Sequence, residues 1–165
     1  MRHRADVLCL QECPEKYWKP QLLSKFYDLV GNGGVQTHCG YTQLWVRNNM
    51  IHQAINETPA PSVAAVALID KYVIGISSCH LEPEKDGAPK RYEQIQSLRN
   101  IFPKNLTHSI MAGDYNMRKA EDRIIEDKLG LRDVYKVSLQ QKCNNNMKEP
   151  KKNTTDNMNT WNSFI

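Results

Sequence analysis

The sequence predicts a layered α/β sandwich: strands packed as ladders, with helices laid on their faces. Strand-like and helix-like stretches alternate up to about Tyr135. Apolar, β-branched runs without helical period, such as Val63 to Ile69 and Tyr72 to Ser78, read as buried strands. Three such runs end in polar groups: Val7-Leu8-Cys9-Leu10-Gln11-Glu12, Ile74 to Glu82 through Cys79-His80-Leu81, and Ser109 to Asn116 through Gly113-Asp114-Tyr115. A buried strand does not end cheaply in a carboxylate or imidazole unless that group meets water, a metal or a charged ligand. Several strand ends feeding one polar cleft is the arrangement this implies.

Each element follows from local pattern. After the first strand, Pro14 to Phe26 places Trp18, Leu22, Leu23 and Phe26 at helical spacing, interrupted by Pro20. Gly31-Asn32-Gly33-Gly34 reads as a flexible turn, not a phosphate loop, because no Lys-Ser/Thr and no helix follow it. Tyr41–Val46, Ile51–Ile55, Val63–Ile69 and Tyr72–Ser78 read as one antiparallel meander, its last two strands joined by a hairpin at Asp70-Lys71. Ala88 to Ile101 is a helix with Tyr92, Ile95, Leu98 and Ile101 on one stripe. Ser109 to Ala112 is a strand, and Lys119 to Leu129 another helix. Gln140 to Asn159 is dominated by Asn, Lys, Gln and Thr, which reads as a mobile insertion with little to bury. Thr160-Trp161-Asn162-Ser163-Phe164-Ile165 then turns apolar, like the start of a further strand.

The 165 residues, 40% hydrophobic and 24% charged, fit a single globular domain over 1–165. A net charge of +4 leans toward anionic partners without specifying one. Five cysteines in an odd count, with no CxxC pair, fit a reducing compartment, nuclear or cytoplasmic. The apolar runs are too short to span a bilayer, and Met-Arg-His-Arg followed by a strand is not a secretory leader.

Taken singly, the polar residues leave two readings each. Glu12 is either a hard oxygen ligand suited to Mg²⁺ or a carboxylate meeting solvent. Asp114 and Asn116 either align a water nucleophile between an acceptor and a donor, or form an Asx-type turn. His80 either binds a phosphate oxygen or is structural, and Glu82 either orients it or faces solvent. Arg91 and Arg118 are phosphate contacts or ordinary surface charges.

Taken in order, Leu10-Gln11-Glu12, Ser78-Cys79-His80-Leu81-Glu82 and Ala112-Gly113-Asp114-Tyr115-Asn116 resemble the endonuclease/exonuclease/phosphatase superfamily. Arg91 and Gln94, Met117-Arg118, Leu131-Arg132-Asp133 and Thr160-Trp161 make the 5′-tyrosyl-DNA phosphodiesterases the most similar members. The resemblance implies a DNase I-like four-layer fold, a two-layer β-sandwich flanked by helices. It also implies hydrolysis of phosphoester bonds at DNA ends, dependent on Mg²⁺, with Mn²⁺ as a substitute. By that likeness Glu12 binds the metal, Asp114 orients or deprotonates water, Asn116 stabilises the reacting phosphate and His80 contacts it. Arg118, Arg91, Glu82 and Trp161 then shape the substrate groove. Abasic-site endonucleases, deadenylases and phosphoinositide phosphatases share the Gly-Asp-x-Asn core, so another hydrolase of this type is an alternative, as is an inactive binding protein. The superfamily pattern also has an upstream Asn-bearing strand and a downstream Ser-Asp-His that this sequence does not supply. The expectation is therefore a domain truncated at both ends.

Overall fold

A computed structural model describes residues 5–15, 18–37, 40–59, 61–118, 120–146 and 163–164. Two sheets form. The first comprises β1 (Val7–Cys13), β2 (Tyr27–Thr37) and β3 (Gly40–Arg47), in the order β1-β3-β2 and antiparallel throughout. The second comprises β4 (His52–Ile55), β5 (Ser62–Ile69), β6 (Tyr72–His80), β7 (His108–Asp114) and β8 (Ser163–Phe164), in sequential order. Its β4-β5-β6 ladder is antiparallel, β6 and β7 run parallel, and β8 returns antiparallel to β7. The parallel pair is joined by helix α2 (Ala88–Asn100), the crossover that parallel neighbours need.

Three expectations are corrected. The stretch from Tyr41 to Ser78 is not one meander, because β3 pairs with β1 and β2 while β4 begins the second sheet. Gly31 to Gly34 lies inside β2, where Gly31, Asn32 and Gly33 pair with Leu44, Gln43 and Thr42. Glycine is needed there because a Cβ on Gly33 would overlap the Ser62 main chain of the facing sheet. The helix expected over 14–26 shrinks to α1 (Gln21–Ser24), which begins after Pro20 and gives way at once to β2. Proline favours a helix start and opposes a helix interior, and β3 competes for the residues that follow.

Two apolar clusters hold the layers. Leu44 of the first sheet meets Val63, Ala65, Ala67, Ile74 and Ile76 of the second, with Val7, Cys9 and Val30 packed alongside. On the opposite face of the second sheet, Cys79, Leu81 and Met111 pack against Ile95 and Leu98 of α2 and Ile125 and Leu129 of α3 (Asp122–Leu129). Arg91, Ile95 and Leu98 form the buried stripe of α2, at helical spacing. A further helix, α4 (Val134–Asn146), runs into the segment expected to be a mobile insertion. Its start is set by the buried Asp133, whose Oδ1 accepts from the Tyr135 amide at 2.8 Å. Residues 147–159 of that segment lie outside the described residues.

Candidate active site

The site lies where β1 of one sheet and β7 of the other come together. On β1 the register with β3 shifts between Leu10 and Cys13: Leu10 pairs with Gln43 and Cys13 with Tyr41, so Gln11 and Glu12 together oppose Thr42. That extra residue is a β-bulge, which re-aims a side chain. Glu12 adopts a left-handed backbone, φ 58°, and its side chain is exposed. Gln11 is anchored across the sandwich, its Nε2 donating to Ser78 Oγ at 3.0 Å. Cys9, Leu10, Gln11 and Glu12 then line a cleft of about 440 Å³ together with Asp114.

Parallel pairing of β6 with β7 puts His80 directly beside Asp114. His80 Nε2 and Asp114 Oδ2 stand 3.9 Å apart, an electrostatic contact too long for a hydrogen bond. The imidazole is nearly buried while the carboxylate is 42% exposed, so Asp114 is the partner open to the cleft. Just before it, Gly113 has φ 144°, and a Cβ there would overlap the Cys79 carbonyl oxygen. Glycine is the residue that permits this approach.

Just after it, the chain turns on Asn116 in a left-handed conformation, φ 49°. The Asn116 amide donates to Asp114 Oδ1 at 2.9 Å, and Asn116 Nδ2 donates to the Leu81 carbonyl at 2.9 Å. The first bond is an Asx turn, and the second ties the turn after β7 to the turn after β6. The turn expected of Gly-Asp-x-Asn is thus present, and it leaves Asp114 Oδ2 toward His80 with Asp114 lining the cleft.

The remaining predicted residues fall elsewhere. Glu82 pairs with Lys90, whose ammonium holds its carboxyl below the ordinary range. Arg91 is fully buried and does not join the Glu12–Asp114 cleft. Its Nε and Nη2 each donate to Glu121 at 2.8 Å, and its Nη1 donates to the carbonyls of Glu82 and Glu84. Arg118 is exposed and rests its guanidinium on the carbonyls of Asn116 and Pro83. Trp161 lies outside the described residues. Glu121, the partner of Arg91, was missed by sequence reasoning. The available signal was its place three residues beyond Arg118 ahead of a helix, where its carboxylate accepts from the Arg118 amide at 3.3 Å.

The cleft offers Glu12 and Asp114 as hard oxygen donors. The Cys9 thiol in the same cleft is pushed up to about 11 by burial, which keeps it protonated and a poor ligand. One or two carboxylates completed by water and phosphate oxygens is the donor set Mg²⁺ takes, so these residues fit that ion. Among the described residues no group of three or more His, Cys, Asp or Glu could hold a metal entirely within protein ligands. No helix among them is long and apolar enough to cross a membrane.

Two facing sheets, with helices packed on the second and polar strand ends meeting at one edge, form a sandwich of the DNase I-like fold. Solved structures of that fold match the chain. D. rerio TDP2, humanized by 14 mutations, superposes with a TM-score of 0.57 at 23% identity, over 79% of this chain and 57% of that one. The endonuclease domain of TRAS1, a telomere-specific non-LTR retrotransposon, gives a TM-score of 0.57 at 18% identity, over 79% and 62%. The human Nocturnin catalytic domain gives 0.57 at 19% identity, over 79% and 59%. The chain thus spans a little over half the length of the TDP2 structure it matches. No family model and no curated protein sequence matches it.

Proposed function

We propose that this chain carries the catalytic cleft of a Mg²⁺-dependent phosphodiesterase acting at DNA ends, with 5′-phosphotyrosyl DNA as its substrate. The observation that carries the reading is the convergence of Glu12 and Asp114, from strands of different sheets, on one cleft with His80 beside Asp114. Support for a DNA substrate comes from D. rerio TDP2, solved in complex with a single-strand DNA product.

In this mechanism Glu12 would hold the Mg²⁺ ion, which would supply charge neutralisation at the phosphate. Asp114 Oδ2 accepts a proton from the attacking water, and Oδ1 is held by the Asn116 amide so that the carboxylate cannot rotate freely. The water oxygen attacks phosphorus, the bond from phosphorus to the tyrosine oxygen breaks, and phenolate departs. Its conjugate acid has a pKa of about 10, so departure needs little help from a general acid. His80 Nε2 and the second Nδ2–H of Asn116, whose first is taken by the Leu81 carbonyl, are the donors for the phosphate oxygens. Arg118, exposed at the same turn, meets the neighbouring backbone phosphate.

The test is hydrolysis of a 5′-phosphotyrosyl oligonucleotide with Mg²⁺, beside abasic-site DNA, poly(A) and a phosphoinositide. Release of tyrosine and a 5′-phosphate is the expected result. Preference for poly(A) or abasic DNA would instead favour the alternative substrates; the TRAS1 endonuclease and Nocturnin domains superpose with the same TM-score of 0.57 as D. rerio TDP2, at lower identity. Failure on every substrate would leave the inactive binding protein.

A further inference from the structure

We infer that Arg91 and Glu121 are positioning residues, a buried ion pair that locks to each other the two turns that follow His80 and Asp114. The inference rests on the phosphodiesterase reading for its kinetic consequence, but its geometry is independent of substrate. Arg91 has no exposed side-chain surface, and Glu121 is 14% exposed. Four guanidinium donor bonds are used, two on Glu121 and two on the carbonyls of Glu82 and Glu84. Those carbonyls belong to the turn that leaves β6 immediately after His80-Leu81. Glu121 faces the other turn: its Oε1 also accepts from the Arg118 amide, and its own amide donates to the Arg118 carbonyl at 2.7 Å.

The pair therefore grips both turns from behind. Further links between the turns include Asn116 Nδ2 to the Leu81 carbonyl, the Leu81 amide to the Asp114 carbonyl, and Arg118 Nη2 to the Pro83 carbonyl. The charged groups packed around the pair are Lys90 on Glu82, Arg118, and Asp86. Burying two charges costs several kcal/mol of desolvation, so a buried pair is a poor route to stability alone. What it supplies is a fixed fork. Two parallel N–H donors on one carboxylate, with two carbonyls on the third nitrogen, admit one relative placement of the turns. Lysine cannot reproduce that fork.

The test compares wild type with Glu121→Gln and Arg91→Lys in the full chain, both of which keep side-chain volume. Two readouts are taken: kcat and KM on the 5′-phosphotyrosyl oligonucleotide, and native-state amide hydrogen exchange. A misplacement near 1 Å costs about a hundredfold in rate, so kcat should fall roughly 10- to 100-fold while KM stays within about threefold. The Glu82, Asn116 and Arg118 amides should exchange faster together while Ile76 and Met111 in the strand interiors keep their protection. A rise in KM with kcat intact would make Arg91 a substrate contact and overturn the inference. Unchanged kinetics in an active enzyme, or uniform loss of protection that includes Ile76, would overturn it as well. If wild type cleaves none of the substrates, the phosphodiesterase reading fails alone, and turn-selective exchange still decides the positioning role.

Discussion

Glu12 is held in a conformation that a residue with a Cβ avoids, and replacing it separates backbone strain from metal binding. The left-handed region costs an L-residue about 1–2 kcal/mol, and Glu12 sits there at φ 58°. Glycine removes that cost but has more freedom in the unfolded chain, a penalty of about 0.4–1 kcal/mol. Glu12→Gly should therefore be more stable than Glu12→Ala by roughly 0.5–1 kcal/mol. Because the side chain is exposed, Glu12→Ala itself should lie within about 0.5 kcal/mol of wild type without metal. With Mg²⁺ at tenfold its dissociation constant, linkage adds about 1.4 kcal/mol to wild type and nothing to either variant. Guanidinium titrations of the three proteins with and without Mg²⁺ measure all of these terms. Equal stability of the Gly and Ala variants would refute the strained bulge, and metal-dependent stabilisation of either would refute Glu12 as the ligand.

Other perturbations read other parts of the site. Gly113→Ala places a Cβ on the Cys79 carbonyl at φ 144° and should cost roughly 3 kcal/mol in a denaturant titration; a loss below 1 would contradict the close approach. Arg91 holds the Glu121 carboxyl, and Lys90 the Glu82 carboxyl, below the ordinary value of 4.5. A carboxyl depressed on folding contributes stability that is present above 4.5 and lost as pH falls through its lower folded value. Urea midpoints should thus fall from pH 5 toward pH 3, and Glu121→Gln should flatten that fall; a midpoint rising with acid would contradict it. Burial pushes the Cys9 thiol up to about 11 and the Cys79 thiol up as well. Neither should react with iodoacetamide at pH 8 until the protein is unfolded, as mass spectrometry of labelled peptides would show.

The legible parts of the fold were those written locally. Val63 to Ile69 and Tyr72 onward announced β5 and β6 by composition, and the Tyr92, Ile95, Leu98, Ile101 stripe of α2 followed from helical spacing, with Ile95 and Leu98 fully buried and Tyr92 and Ile101 packed at its margin. The glycine run in β2 misled because its strand character comes from β3 and from the Ser62 backbone against Gly33, not from its own residues. Helix α4 was hidden by Asn- and Gln-rich composition, although Asp133 stood at its cap. In the site, the order of Glu12, His80, Asp114 and Asn116 was readable because each closes an apolar run. The bulge at Glu12 was not, since it depends on which β3 residue opposes it. The place of Arg91 was not either: its partner Glu121 lies thirty residues further along the chain, beyond any local pattern.

In the proposed mechanism one carboxylate, Asp114, accepts the proton of the attacking water in the cleft it shares with Glu12. Asp114→Asn keeps an oxygen for the Asn116 amide, and so the turn, while removing the base. The decisive measurement is the single-turnover rate on a 5′-phosphotyrosyl oligonucleotide, with the melting curve recorded beside it. The rate should fall by a factor of about 10²–10⁴ with the melt little changed. A variant that cleaves at the wild-type rate would contradict it.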